Sequence, residues 1–168
     1  MPLLLLVRHA KAEAPQQGLD DHGRALAVEG RETALRLAER LVERGIIPDL
    51  ALVSSSNRTV QTYKRMATVL PDALLRVEDD LYECATERFV GVLTAVGDVQ
   101  TVMVIGHEPT TSHVAAWLAG PGSLKKALQK VAHGMTTSGA AILEYDGAWS
   151  DLGQSSARLV DVIDGKPS

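Results

Sequence analysis

The sequence lacks most features of an extracellular or nucleic-acid-binding protein. Cys84 is its only cysteine, so an internal disulfide is excluded and a reducing compartment is favoured. Aromatic residues make up only 4% of the chain, which gives no stacking platform for single-stranded nucleic acid. The net charge is -4, and the sequence shows no cluster of basic residues that would form a face for binding a nucleic-acid duplex. We therefore expect no nucleic-acid partner.

Long hydrophobic runs are also missing. The N-terminal apolar run extends from Pro2 to Val7 and ends at Arg8, whereas a membrane-spanning helix needs about 20 apolar residues. A signal peptide would begin with basic residues, continue in a longer apolar region and end in a small-residue cleavage site. We expect no membrane association, and a cytoplasmic protein whose first element is a buried strand.

Short apolar segments alternate with helical patterns along the chain. Three segments are almost entirely apolar, as is typical of strands covered on both faces: Leu3–Val7, Leu50–Val53 and Thr101–Ile105. Helices are predicted at about 28–44, 58–70, 86–96, 109–118 and 124–132, and late strands at 140–145 and 158–162. No strand is predicted between 71 and 85. This alternation predicts an α/β fold, a three-layer α/β/α sandwich with a mainly parallel central sheet, and a single domain over 1–168.

Polar residues follow each of the three apolar strands directly. Arg8 and His9 follow the first, a serine-rich segment leading to Arg58 follows the second, and His107 follows the third. In an open α/β sheet the carboxyl ends of the strands lie along one edge, where ligands bind. We therefore expect these four side chains to converge.

The convergent residue types are suited to phosphoryl transfer. Two arginines, Arg8 and Arg58, would match phosphate oxygens bidentately and neutralise the dianion. A neutral histidine nitrogen is a competent nucleophile for a phosphoryl group, and a second, protonated histidine would donate to an oxygen. Positioning and electrostatics supply most of the catalysis of this reaction, so no metal or other cofactor is expected. No Cys/His cluster has the spacing of a zinc site.

The motifs resemble those of the histidine phosphatase superfamily. Leu6-Val7-Arg8-His9-Ala10 is similar to its Arg-His signature, and Arg8-His9-Ala10-Lys11-Ala12-Glu13 resembles the branch of SixA-like phosphohistidine phosphatases. Ser54 to Thr62, with Arg58 and Gln61-Thr62, resembles the second motif. Val104 to Pro109 resembles the third. Asp20 with Arg24-Ala25-Leu26 and Glu29-Gly30 matches a further segment of the family, so four segments match in the right order, and this makes the resemblance specific.

The resemblance implies a phosphoglycerate mutase-like fold and hydrolysis through a phosphohistidine intermediate. It implies that His9 accepts the phosphoryl group and that Arg8, Arg58 and His107 form the phosphate pocket. Two positions depart from the family pattern: Asn57 stands where Pro is frequent, and Glu108 where Asn is common. A carboxylate at position 108 would either raise the proton affinity of His107 or point away from it.

Three further residues are candidates for the site. Glu83 stands roughly where many superfamily members carry an acidic residue, and is the candidate proton donor, with a pKa raised by partial burial. The alternative is an ordinary solvated side chain. Asp20 and Arg24 match a further family segment before the first long helix. They either contact substrate or form a structural ion pair that orders the loop 11–25.

The short interval between the second and third motifs leaves little room for a helical cap. No sizeable cap is therefore predicted, and an open site would admit phosphohistidine on a protein partner. The alternative is a general phosphomonoesterase acting on a small phosphorylated metabolite or nucleotide. A third hypothesis is a non-catalytic phosphate-binding module. A mutase is less favoured because it must exclude water. The sequence leaves the substrate, the partner and the oligomeric state open.

Overall fold

A computed structural model describes residues 2–168, which form a six-stranded sheet with helices on both faces. The strands are β1 (Leu3–Arg8), β2 (Leu50–Ser54), β3 (Leu74–Glu78), β4 (Thr101–Gly106), β5 (Gly139–Glu144) and β6 (Arg158–Asp164). The α-helices are α1 (Val28–Glu43), α2 (Asn57–Met66), α3 (Thr86–Thr94), α4 (Thr110–Leu118) and α5 (Lys125–Ala132). Two short 3₁₀ helices span Asp79–Leu81 and Trp149–Asp151.

The strand order is β3-β2-β4-β1-β5-β6. Strands β1 to β4 pair in parallel, whereas β5 is antiparallel to both β1 and β6. Only β5 is therefore reversed among these six strands, and the predicted mainly parallel sheet is confirmed. Since β2, β4 and β1 are adjacent and parallel, their carboxyl ends meet at one edge of the sheet.

Alternate residues of each inner strand pack on opposite faces of the sheet, as the two-residue period of a strand requires. In β1, Leu4 and Leu6 belong to the core beneath α3, α4 and α5. Leu5 and Val7 belong to the core beneath α1 and α2. These four side chains have no solvent exposure. The predicted three-layer α/β/α arrangement is confirmed.

The edge strand β3 is the main element that the sequence pattern does not predict. Its side chains Leu74 and Val77 are 67% and 52% exposed, and charged Arg76 and Glu78 interrupt the apolar pattern. The strand forms because its backbone pairs with β2, from Leu50 opposite Leu74 to Ser54 opposite Glu78. Such pairing depends on the neighbouring strand and leaves little trace in the local sequence.

Within residues 2–168, none of the helices combines the length and the hydropathy required to cross a membrane.

Candidate active site

The three strand ends bring the predicted phosphate-handling residues together. The backbone N–H of His9 donates to Gly106 O at 3.0 Å, so pairing between β1 and β4 continues one residue past the strand. The rings of His9 and His107 lie 5.4 Å apart between centroids. Arg58 reaches them from the first turn of α2, and its Nη2 lies 3.3 Å from Nδ1 of His107. Arg8 is the last residue of β1.

His9 is held in the form that a nucleophile requires. Its Nδ1 lies 2.7 Å from the carbonyl oxygen of Ala10, which can only accept, so Nδ1 carries the proton and Nε2 has a lone pair. Burial lowers the pKa of His9 to about 4, and the charges of Arg58, Arg8 and Arg24 act in the same direction, although the Ala10 carbonyl opposes them. The ring is therefore neutral at physiological pH.

His107 is also neutral in this ligand-free arrangement. Burial lowers its pKa to about 3, and neighbouring His9 and Arg58 act in the same direction. The guanidinium of Arg58 can only donate, so Nδ1 of His107 accepts, and Nε2–H donates to Ser54 Oγ at 2.8 Å. A bound phosphate dianion would favour the charged imidazolium and so raise the pKa.

Glu108 does not act on His107. Its carboxylate accepts from Ser112 N at 2.9 Å and from Ser112 Oγ at 2.6 Å, in the first turn of α4. It also accepts from Met135 N at 3.2 Å. Of the two sequence alternatives, the side chain points away from the histidine, and it fastens the segment after α5 to the start of α4.

Arg8 is positioned by that same segment. Its Nη1 donates to Met135 O at 2.8 Å. Its Nε is buried and has no hydrogen-bond acceptor within residues 2–168. Because a buried N–H without an acceptor is costly, an oxygen of a bound phosphate would be a favourable partner.

Asp21 is the carboxylate that contacts Arg58. Its Oδ2 accepts from Arg58 Nη2 at 3.0 Å and from the Tyr82 hydroxyl at 2.7 Å, while Oδ1 accepts from Arg24 Nη1 at 3.0 Å. The hydrogen bond from Tyr82, followed by those from Arg24 and Arg58, holds the pKa of Asp21 well below its usual range. Asp21 is therefore an anion that ties the loop 11–25 to the site.

Of the three further candidates, Arg24 belongs to the site, whereas Asp20 and Glu83 are exposed. Arg24 is part of the site network, but its ion pair is with Asp21. The predicted ion pair between Asp20 and Arg24 is therefore wrong. Asp20 is exposed, and its Oδ1 accepts from Gly23 N at 2.9 Å. Glu83 is an exposed residue with a backbone φ of 51°, next to Tyr82. Partial burial was expected for Glu83, and the structure does not provide it.

Sequence reasoning missed three side chains at this site, namely Asp21, His22 and Tyr82. The ring of His22 packs edge-on against Tyr82 at 4.9 Å, and Tyr82 against His107 at 5.5 Å. Nε2 of His22 is hydrogen-bonded to Ser55 Oγ at 3.0 Å. The only available signal was proximity in sequence to Asp20 and Glu83, and the loop conformation decides which neighbour points inward.

The second motif supports the loop that carries the nucleophile. Thr62 Oγ1 accepts from Ala10 N at 2.9 Å, just after His9, and donates to Arg58 O at 2.8 Å. Gln61 Oε1 accepts from Leu26 N at 2.7 Å. One turn of α2 thus connects Arg58 to the residue after His9 and to the far end of the loop 11–25.

A family model agrees with this geometry. The model of the histidine phosphatase superfamily (branch 1) matches residues 4–100. The chain belongs to this superfamily. The chain is therefore a phosphatase-type hydrolase, and its substrate is phosphorylated.

Similar proteins cover nearly the whole chain. An uncharacterised protein of Mycobacterium tuberculosis (strain H37Rv) is 35% identical over 156 residues, which are 92% of this chain and 96% of that protein. A structure from Nakamurella multipartitia, proposed to be the phosphohistidine phosphatase SixA, aligns with a TM-score of 0.83 at 30% identity, covering 96% and 95% of the two chains.

A structure from Agrobacterium tumefaciens, also proposed to be SixA, aligns with a TM-score of 0.82 at 29% identity over 97% and 98% of the chains. The chain is thus a SixA-like member of the superfamily, and its fold is phosphoglycerate mutase-like.

Proposed function

We propose that this protein removes the phosphoryl group from phosphohistidine on a protein partner, through a phosphohistidine intermediate on His9. In this proposal Arg8, Arg58 and His107 bind the phosphate. The similarity of the chain to two structures that are proposed to be the phosphohistidine phosphatase SixA supports this function. The observation that carries it is the state of Asp21, the carboxylate that contacts Arg58. It accepts hydrogen bonds from Arg58, Tyr82 and Arg24, which hold it as an anion, so it cannot serve as a proton donor.

The need for a proton donor depends on the leaving group. Transfer from an alkyl phosphate expels an alkoxide, which needs a positioned acid. Transfer from phosphohistidine expels an imidazole, and a proton already on its other ring nitrogen makes that imidazole neutral. The step then exchanges one phosphoimidazole for another and is close to balanced in energy. A site with an ionised Asp21 and an exposed Glu83 is suited to this second substrate.

Each step of the proposed reaction balances. Nε2 of His9 attacks phosphorus while the bond from phosphorus to the substrate nitrogen breaks, and the substrate leaves as a neutral histidine. The phosphorylated ring of His9 carries positive charge, which the Ala10 carbonyl stabilises through its 2.7 Å contact with Nδ1. Water then attacks phosphorus, the bond to Nε2 breaks, and inorganic phosphate and a proton are released.

An open site supports a protein substrate. Between β2 and β4 the chain forms α2, β3, a 3₁₀ turn and α3, all of which belong to the sheet or to one of its two helical layers. No separate helical cap is inserted there within the described residues. The side chain of a folded partner could therefore approach His9.

The experiment compares a histidine-phosphorylated peptide, phosphoimidazole and a panel of alkyl phosphate esters and nucleotides. We expect the two phosphoramidates to be hydrolysed with the higher kcat/KM. The H9A variant should lose turnover while its circular dichroism spectrum and unfolding midpoint stay close to those of the wild type. Labelled phosphate should be trapped on the wild type at alkaline pH, where phosphohistidine survives. Preference for the alkyl esters would favour the phosphomonoesterase alternative, and binding without label on His9 would favour a non-catalytic module.

Glu83 is tested in the same assays. If it donates a proton to the leaving group, E83Q should lower kcat on alkyl esters far more than on phosphoimidazole. If the exposed carboxylate has no catalytic role, E83Q should leave both unchanged, as our proposal expects.

A further inference from the structure

A groove between α5 and β6 opens at the same edge of the sheet as the site. It has a volume of about 580 Å³. Since β5 and β6 pair with Gly139 opposite Asp164, the mouth of the groove lies at the catalytic edge. Its walls combine two lysines with apolar residues: Lys126, Lys130, Met135, Val162 and Ile163.

The groove shares a segment of chain with the phosphate pocket. Met135 lines the groove, and its carbonyl oxygen accepts from Arg8 Nη1 at 2.8 Å. Ser138 N donates to His9 O at 3.2 Å, and the next residue, Gly139, lines the groove. Residues 135–139 thus border both spaces. A substrate chain whose phosphorylated side chain enters the site would reach the groove by crossing this segment.

The groove has an excess of positive charge in an acidic protein. Lys126 is exposed and forms no ion pair within residues 2–168. Lys130 Nζ donates to the main-chain oxygen of Val162 at 3.1 Å. The lining carboxylate, Asp164, pairs with Arg40 at 3.6 Å. Within residues 2–168 neither lysine forms an ion pair, and Asp161, the carboxylate that interacts with Lys130 at longer range, is itself paired with Arg44. An anionic ligand would therefore find two available lysines, although the whole chain has a net charge of -4.

We propose that this groove binds an acidic segment next to the phosphohistidine of the substrate protein. This rests on the proposed function. Lys126 and Lys130 attract the acidic side chains, and partly buried Val162 and Ile163 contact the apolar ones. Exposed charges of this kind act mainly on the association rate, so the effect appears in kcat/KM and weakens with salt.

The experiment uses two synthetic peptides with a central phosphohistidine. One carries three Glu residues on each side, and the other carries Gln at those positions. At low ionic strength the wild type should prefer the acidic peptide by about tenfold in kcat/KM, and K126Q/K130Q should reduce that preference to about twofold or less. High salt should reduce the wild-type preference in the same way.

A matched control removes two cations from another helix face. Lys64 and Arg65 of α2 are exposed, form no ion pair within residues 2–168 and line a different hollow. K64Q/R65Q should keep the full preference for the acidic peptide. Both double variants should hydrolyse phosphoimidazole at the wild-type rate, because this molecule has no flanking segment.

The outcomes separate the two proposals. Equal hydrolysis of both peptides by the wild type overturns the groove proposal and leaves the proposed function standing. The same conclusion follows if K64Q/R65Q loses as much of the preference for the acidic peptide as K126Q/K130Q does. Hydrolysis of phosphoimidazole but of neither peptide overturns both. Light scattering tests a further outcome. If the wild type self-associates, K126Q/K130Q abolishes this association and no peptide preference is found, the groove binds a second copy of this chain instead.

Discussion

The carboxylate of Asp21 lies 3.0 Å from Nη2 of Arg58, so the guanidinium expected to hold the phosphate is already paired with an anion. Asp21 also anchors Arg58 through its main chain, since its carbonyl oxygen accepts from Nη1 at 2.8 Å. The main-chain contact orients the guanidinium, whereas the side chain competes with an incoming phosphate for it.

D21N should therefore strengthen the binding of phosphate-like anions. The variant keeps the main-chain contact to Arg58 but removes a negative charge from the pocket. Because the Asp21 side chain is about half exposed, we expect a modest effect, a decrease of about two- to fivefold in the inhibition constant of tungstate. Competitive inhibition of phosphoimidazole hydrolysis measures it. D20N is the matched control, since the Asp20 carboxylate accepts from Gly23 N in its own turn and forms no ion pair within residues 2–168. An unchanged constant in D21N would contradict the competition.

The buried histidines should make folding stability depend on pH. The folded-state pKa of His9 is about 4, below its ordinary value of 6.5. Between these values the unfolded chain binds a proton that the folded chain does not, so stability falls as the pH drops from 6.5 towards 4. His107, with a pKa of about 3, acts in the same direction. Urea unfolding between pH 7.5 and 4.5 measures this loss, which should be smaller in H9N.

Titration by NMR checks the same values directly. The ring signals of His9 should show no protonation until the pH approaches 4, and added tungstate should raise the pKa of His107 because a dianion stabilises the imidazolium. Midpoints near 6.5 for both rings in the free protein would show that burial does not control them.

Glu108 should influence Arg8 through Met135. E108A removes the carboxylate that accepts from Ser112 N in the first turn of α4 and one of the two acceptors of Met135 N, which keeps Ser112 Oγ at 3.0 Å. The variant should lose about 1–2 kcal/mol of unfolding free energy and should show a higher KM for phosphoimidazole, since the segment whose carbonyl positions Arg8 is then held by Ser112 alone at this point. E108Q keeps one acceptor oxygen and should lose less.

Glu87 offers a control for that experiment, because it is an exposed acidic residue in the first turn of α3. E87A should change stability by no more than about 0.5 kcal/mol and leave KM unchanged. An equal effect of E87A and E108A would mean that helix charge alone accounts for the loss.

Gly30 lets the chain that follows His9 pack directly on α1. A Cβ at this position would lie 2.1 Å from the carbonyl oxygen of Lys11, which is backbone and cannot move aside cheaply. G30A should therefore destabilise the fold by more than about 2 kcal/mol and lower activity by displacing this loop.

The control for Gly30 is another helical glycine. A Cβ on Gly91 of α3 would meet nothing within 4 Å. G91A should raise the unfolding free energy by up to about 1 kcal/mol, as expected for Gly to Ala in an open helix position. Thermal unfolding of both variants tests the comparison, and a tolerated G30A would contradict the close packing.

The sequence alone determined the inner strands and the four residues at their ends. β1, β2 and β4 are apolar enough to be recognised locally, because strands buried on both faces have no polar positions. The parallel order of such strands places their carboxyl ends together, so the convergence of Arg8, His9, Arg58 and His107 follows from the sequence pattern. Their catalytic roles remain predictions.

Only the tertiary structure decided the surroundings of those residues. Asp20 and Asp21 are adjacent and chemically identical, and the loop conformation alone turns Asp21 towards Arg58. β3 exists because β2 pairs with it, and the neutral state of His107 results from burial among residues distant in sequence. Packing, pairing and desolvation are collective properties of the folded chain, whereas a local pattern records only what each segment contributes by itself.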